Sequence, residues 1–93
     1  MRREVQITNE LGLHARPAAE FVKCVTGFRS KVVIEKGDER FSASSILEVL
    51  SASLDCGARV TIEAVGPDAE AVLDRLEELL EEFREKEGSC RDH

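Results

Sequence analysis

A histidine and an arginine stand at the predicted start of the first helix, and they are the residues of this chain best suited to chemistry. His14 and Arg16 are two residues apart, and Pro17 follows. Proline is favoured in a helix's first turn, where its missing N–H would have no intrahelical partner, so we expect the helix to begin at about Ala15–Arg16. The amides of that turn and the helix dipole attract anions. The grouping suits a phosphoryl group held on, or passed through, the histidine.

Three interpretations of this segment stay open from the residues alone. In the plainest, His14 is an exposed loop histidine and Arg16 a solvated charge. In the second, the helix amides hold a passive phosphate or sulfate ion. In the third, His14 is a nucleophile that becomes phosphorylated, since a neutral imidazole with an unperturbed pKa of about 6.5 is a competent nucleophile near pH 7.

Length, charge and hydropathy limit the kind of protein that surrounds this segment. The 93 residues, 42% of them hydrophobic, allow one small globular domain and no second core. The formal net charge of −6 argues against a general nucleic-acid binder. No apolar run approaches the roughly 18 residues of a membrane-spanning helix, and the N-terminus lacks the apolar core of a signal peptide. We therefore expect a cytoplasmic protein without membrane insertion.

The three cysteines are odd in number and widely spaced, at Cys24, Cys56 and Cys90. No C-x-x-C pair occurs, so the spacing indicates neither a zinc site nor a disulfide scaffold. We expect Cys24 and Cys56 to fill apolar or half-buried positions and Cys90 to be an exposed thiol in a polar tail.

Hydrophobic periodicity predicts seven elements in the order β-α-β-β-α-β-α. They are a strand around Val5–Ile7, a helix over Arg16–Thr26, strands over Lys31–Glu35 and Arg40–Ser42, a helix opened by Ser45, a strand over Val60–Ala64, and a helix from about Asp68 to Phe83. This order suggests an α+β open-faced sandwich, with one mainly antiparallel sheet covered on one face by three helices. We expect residues 1–87 to form a single domain, the periodicity to be lost from Arg84 onward, and residues 88–93 to be a flexible tail.

The second predicted helix carries a capping signal and a wide apolar arc. Ser45-Ile46-Leu47-Glu48 matches the S-x-x-E capping box, in which Ser45 is an N-cap worth about 1 kcal/mol. The apolar residues from Ile46 to Leu54 span more than one core-facing stripe. We expect one edge, at Leu47, to be exposed; the alternative is that Leu47 packs under a loop.

The run Gly12-Leu13-His14-Ala15-Arg16-Pro17-Ala18-Ala19 resembles the active-site segment of the HPr family, the histidine-containing phosphocarriers of the bacterial sugar phosphotransferase system. The resemblance extends from Val5 to about Phe83 and includes Ser45-Ile46-Leu47 and Gly57-Ala58-Arg59-Val60-Thr61-Ile62. It implies the HPr-like fold, a four-stranded sheet with three helices.

The resemblance also implies a relay of phosphoryl groups through His14. Enzyme I would phosphorylate His14, on Nδ1, and His14 would pass the group to an enzyme II A component. Arg16 would neutralise charge on the phosphoryl oxygens, and the following amides would donate hydrogen bonds to them. The implied protein is a monomeric carrier, not an enzyme in its own right, and needs no metal or cofactor.

The same resemblance suggests partner contacts and a regulatory site. The implied partner-binding residues are Pro17, Lys23, Ile46, Leu47 and Leu50. Ser45 corresponds to a serine that an HPr serine kinase/phosphorylase modifies in many bacteria, although Glu48 stands where those proteins often carry Gly or Lys. Two alternatives stay open: a nitrogen-branch or regulatory protein that signals by its phosphorylation state, and a pure binding module with a vestigial histidine.

Overall fold

A computed structural model of the chain describes residues 1–9 and 12–88, with the side chain of Glu87 left out. The elements follow the predicted order. They are β1 (Arg2–Gln6), α1 (Ala15–Thr26), β2 (Lys31–Lys36), β3 (Glu39–Ser42), α2 (Ile46–Ser51), β4 (Arg59–Val65) and α3 (Ala69–Glu87). The prediction of an α+β fold in this order is confirmed.

The four strands form one sheet in the order β1-β4-β2-β3, and every neighbouring pair is antiparallel. α1 packs against both α2 and α3, while α3 packs on β4 and α2 on β3. Side chains alternate along the central strands: Val32 and Ile34 are buried, whereas Lys31 is exposed. The three helices therefore cover one face of the sheet, and the other face meets solvent.

One hydrophobic core lies between the sheet and the helices. Its fully buried side chains come from both layers and include Phe21, Ile34, Val49, Ile62 and Leu76. The stripe predicted on α1 is buried at Ala18, Phe21 and Val25, with Val22 partly buried. This packing fixes the direction in which α1 points its N-terminus.

The ends of several elements differ from the sequence predictions, and the differences matter most in β1, α2 and α3. β1 begins at Arg2, because Arg2 pairs with Glu63 across the sheet. α2 ends at Ser51, so Leu54 lies beyond it. Fraying from Arg84 is the wrong prediction for α3, which continues to Glu87, since the basic side chains of its last turn complement the helix dipole. Residues 89–93, most of the predicted tail, lie outside the described residues.

Two cysteines can be compared with their predictions. Cys24 is a free thiol, partly buried and packed against the core, as expected, and this burial raises the pKa of its thiol. Cys56 is exposed and disulfide-bonded, so the prediction of an apolar or half-buried position is wrong, and the cysteine spacing gave no sign of the disulfide. The cause is its position in the exposed turn before β4. Cys90 lies outside the described residues.

The open face of the sheet carries a row of four charges that crosses all four strands. Arg2 of β1 donates to Glu63 of β4 at 3.0 Å and also pairs with Glu35 of β2. Arg40 of β3 donates to Glu63 at 2.9 Å and pairs with Glu35. These hydrogen bonds hold the pKa of Glu63 below its ordinary value. The two arginines neutralise the two glutamates within the row. We therefore interpret this face of the sheet as a solvated surface.

Asp68 fastens the start of α3 to the connection between α1 and β2. Its side chain does not cap α3 but accepts the backbone N–H of Arg29 at 2.9 Å and the hydroxyl of Ser30 at 2.5 Å. The amide of Arg29, and then the Ser30 hydroxyl, hold the pKa of the Asp68 carboxyl below its ordinary value of 3.8.

We expect Asp68→Asn to lower the free energy of unfolding at neutral pH and to flatten its acid dependence. A carboxyl whose pKa is depressed on folding stabilises the fold fully above its unfolded pKa, and this contribution is lost as the pH falls through the folded value. The gap between wild type and Asp68→Asn should therefore shrink below about pH 3.8. Urea unfolding at several pH values measures it, with Asp38→Asn as the control; a gap that stays constant with pH would contradict the assignment.

Among the helices of the described residues, none combines the length and the hydropathy that a membrane-spanning segment requires.

Candidate functional site

Two described residues before α1, Ile7 and Leu13, are hydrogen-bonded to the connection between α2 and β4. Ile7 donates its N–H to the carbonyl of Ala58 at 2.8 Å, and Gly57 donates to the carbonyl of Ile7 at 2.7 Å. Further along, the N–H of Leu13 donates to the carbonyl of Leu54 at 2.8 Å, and both of these side chains are buried. The residue before His14 is thus held by backbone hydrogen bonding and by burial.

Gly12 makes this close approach possible. Its φ is +66°, and a Cβ at this position would lie 2.6 Å from the Leu54 carbonyl oxygen and 2.8 Å from the Asp55 Cα. Only glycine avoids both the left-handed strain and the collision with backbone.

Gly12→Ala should destabilise the fold by more than the matched change Gly37→Ala. Gly37 has a similar φ of +60° but open space where a Cβ would go. The left-handed conformation costs about 1–2 kcal/mol in either variant, and forcing backbone apart at Gly12 adds about 1–3 kcal/mol. Urea unfolding of both variants tests the difference. Equal losses of unfolding free energy at the two positions would show that the close contact with Leu54 does not add to the cost of the substitution at Gly12.

His14 occupies the N-cap position of α1. Its backbone is extended, with φ −81° and ψ −169°, and its carbonyl accepts the first intrahelical bond, from the N–H of Ala18 at 2.8 Å. The side chain is exposed and does not cap the helix. His14 thus combines an exposed side chain with a position directly before the first turn of α1.

The first turn of α1 offers the amides of Ala15 and Arg16, which have no intrahelical acceptor. Pro17 occupies the third helical position, where it has no N–H to leave unsatisfied. The turn contains no acidic residue, so its partial positive charge is not neutralised from within. The predicted start of the helix at about Ala15–Arg16 is confirmed.

Arg16 adds a full positive charge to this end of the helix. Its side chain is exposed and makes no ion pair or hydrogen bond with the described residues. Because Arg16 is the second residue of α1, its guanidinium starts from the same turn as the amides. His14 and Arg16 thus stand together at the N-terminus of one helix, as the sequence predicted.

The predicted partner-binding residues do not all belong to one surface. Ile46, Leu47 and Leu50 of α2 are 38%, 74% and 39% exposed, and the expectation of an exposed edge at Leu47 is confirmed. Lys23 instead lies in the last turn of α1 and lines a groove against α3. Pro17 needs a correction: its side chain is fully buried, so it offers no contact area to a partner.

Ser45 is the N-cap of α2, as predicted, and its hydroxyl accepts the N–H of Glu48 at 3.4 Å. The reciprocal half of the capping box is different. The Glu48 carboxylate accepts the N–H of Ser42 at 3.0 Å, whereas the N–H of Ser45 donates to the Ser42 carbonyl at 3.3 Å. Glu48 therefore ties α2 to the end of β3. Ser45 is half-buried.

Within residues 1–9 and 12–88, no group of three or more His, Cys, Asp or Glu side chains is arranged to hold a metal ion.

Comparison with known proteins gives the family. The family model described as the PTS HPr component phosphorylation site matches residues 1–82. The phosphocarrier protein HPr of Treponema pallidum is 35% identical over 83 residues, which cover 89% of this chain and 94% of that protein. The phosphocarrier protein NPr of Shewanella violacea is 36% identical over 76 residues, with 82% and 84% covered.

The fold agrees with this match. The crystal structure of HPr-C-His from Thermoanaerobacter tengcongensis superposes with a TM-score of 0.85 at 35% identity, covering 89% of this chain and 93% of that chain. The open-faced fold and the matched sequence together define a phosphocarrier of the phosphotransferase system. The chain belongs to the HPr family, whose members work with phosphotransfer partners such as enzyme I and enzyme II.

Proposed function

We propose that His14 accepts a phosphoryl group from phospho-enzyme I and passes it to an enzyme II A component of the sugar phosphotransferase system. The observation that carries this proposal is the exposed imidazole at the N-cap of α1, beside the amides of Ala15 and Arg16 and the Arg16 side chain. Family membership supports it. The protein acts as a monomeric carrier that turns over only with its partners, and it is not an enzyme by itself.

The transfer step exchanges one N–P bond for another. The Nδ1 lone pair of neutral His14 attacks phosphorus, the bond from phosphorus to the donor histidine breaks, and its electron pair returns to the donor nitrogen. The proton on Nε2 of His14 stays in place throughout, because the N–P electron pair returns to Nδ1 when the group is passed on. During the step, the first-turn amides and Arg16 stabilise the charge on the three phosphoryl oxygens.

An exposed site fits a carrier better than a closed pocket does, because two partners must reach the same nitrogen in turn. Ile46, Leu47 and Leu50 provide an apolar surface on α2, which packs against α1. An apolar patch beside a charged centre is typical of a docking surface. We include these three residues in the docking surface, leave Pro17 out, and treat Lys23 as a separate contact at the other end of α1.

Phosphorylation of Ser45 by an HPr serine kinase/phosphorylase is a second candidate activity. A phosphate at the N-terminus of α2 would be favoured by the helix dipole. It would also displace the contact from the Glu48 N–H and stand one turn from the Glu48 carboxylate. We expect repulsion between this carboxylate and the phosphate to make Ser45 a poor kinase substrate. Glu48→Lys should raise the rate at which the kinase phosphorylates Ser45.

The sugar branch is the function we favour, and a nitrogen-branch or regulatory carrier is the alternative. The relatives named HPr and NPr are 35% and 36% identical, so identity does not separate the branches. The ratio of initial transfer rates from the two kinds of enzyme I separates them. A faster rate from the nitrogen-branch enzyme I would replace the sugar-branch proposal.

One assay tests the carrier and the regulatory site together. The protein is incubated either with labelled phosphoenolpyruvate and enzyme I, or with labelled ATP and the serine kinase. Label from the first mixture should be acid-labile and alkali-stable, as a phosphohistidine is, and should leave when enzyme II A is added. Absence of label under conditions that phosphorylate another HPr would instead support a binding module with a vestigial histidine.

A further inference from the structure

Lys36 reaches from the sheet to the end of α2. It is the last residue of β2, and its Nζ donates hydrogen bonds of 2.9 Å to the carbonyl of Ala52 and 2.9 Å to the carbonyl of Ser53. Carbonyls at the C-terminus of a helix have no intrahelical donor and carry the negative end of its dipole. The ammonium group of Lys36 therefore satisfies acceptors that α2 leaves open.

The carbonyl that Lys36 holds belongs to a strained residue. Ser53 has a φ of +51° and is the one non-glycine residue with positive φ in the described part of the chain. Its carbonyl also accepts the N–H of Asp55 at 2.9 Å. A left-handed serine persists only when its surroundings determine it, and the two donors on this carbonyl are part of those surroundings.

The next residue along carries the active-site segment. The Leu54 carbonyl accepts the N–H of Leu13 at 2.8 Å, and Gly12 approaches it so closely that no Cβ fits between them. Lys36 is therefore joined to His14 by two hydrogen bonds and short stretches of backbone, through Ser53, Leu54 and Leu13. A change in the Ser53 carbonyl would move the acceptor on which the segment before His14 rests.

We propose that Lys36 is a positioning residue for phosphoryl transfer at His14. It does not touch the transferred group but acts through the Ser53–Leu54 backbone, which sets where the N-cap of α1 stands. The inference rests on the proposed function of His14. Transfer rates are sensitive to such placement, because displacements of about 1 Å can change them by factors of up to about 100.

The test compares Lys36→Met with Lys31→Met, the same substitution on the exposed start of the same strand. In Lys36→Met we expect kcat for transfer from phospho-enzyme I to fall about tenfold while KM changes less than about twofold. Lys31→Met should match wild type, and Lys36→Arg, which keeps charged donors, should recover most of the rate. Exchange of the Leu13 amide should quicken at least about tenfold in Lys36→Met alone.

A purely structural role would lower the unfolding temperature of Lys36→Met but leave kcat of the folded protein unchanged, and that result overturns the proposal. Should Lys36→Met fail to fold, Lys36→Gln takes its place in the same comparison. If wild type itself accepts no label, the proposed function of His14 fails. Hydrogen exchange of the Leu13 amide then still tests whether Lys36 holds the segment before His14 through the Ser53–Leu54 backbone. Unchanged Leu13 exchange would then reject the inference.

Discussion

Replacing His14 with alanine is expected to abolish phosphorylation by phospho-enzyme I while leaving the fold intact. The reaction needs the imidazole nitrogen as its nucleophile, and no other group at the N-terminus of α1 can form the N–P bond. The variant should fold, because the His14 side chain is exposed and makes no capping hydrogen bond, and the bond that opens α1 uses its carbonyl. Incorporated label, circular dichroism and urea unfolding measure both parts of this prediction.

The matched control for His14→Ala is the same substitution at His93, the other histidine of the chain. His93→Ala should accept label at the wild-type rate. If His14→Ala still accepts phosphate from enzyme I at that rate, the assignment of His14 is wrong. Loss of label in both variants would instead indicate that phosphorylation depends on more than one imidazole.

The arrangement of the candidate site could be predicted from sequence because its residues are neighbours along the chain. His14, Arg16 and Pro17 lie within one turn, so the start of a helix is enough to bring an imidazole, a guanidinium and two amides together. The exposure of Leu47 followed in the same way, from apolar positions that cover more of a helix than one core-facing stripe can bury. Information from residues close together in sequence was sufficient in both cases.

The contacts that hold the neighbouring elements in place could not be predicted in this way, because they join residues that are distant in sequence. Lys36 reads as one residue of a turn until strand pairing and the end of α2 place two carbonyls within its reach. Asp68 marks only the start of a helix in the sequence, yet its side chain binds the chain before β2. The reciprocal half of the predicted capping box is absent for the same reason. The Glu48 carboxylate accepts the amide of Ser42 in β3 instead of the amide of Ser45.

Arg16→Glu is expected to slow phosphoryl transfer about 100-fold without loss of helix. The change removes a cation from beside the phosphoryl oxygens and places a carboxylate there, which opposes both the arriving group and the phosphohistidine. The free energy of unfolding, by contrast, should rise slightly. A negative charge in the first turn of a helix is favourable by about 0.3–1 kcal/mol, and the Arg16 side chain contacts no partner among the described residues that the change would break.

Stopped-flow transfer from phospho-enzyme I, together with thermal unfolding, separates these two effects. The charge-matched control is Lys23→Glu, which makes the same change at another exposed position of α1, about 10 Å further along its axis. We expect Lys23→Glu to alter KM more than kcat, because a charge at that distance acts on docking and is largely screened from the reacting atoms. Equal losses of kcat in the two variants would mean that the net charge of α1, rather than a guanidinium at the phosphoryl group, sets the rate. Unchanged kinetics in Arg16→Glu would remove Arg16 from the mechanism altogether.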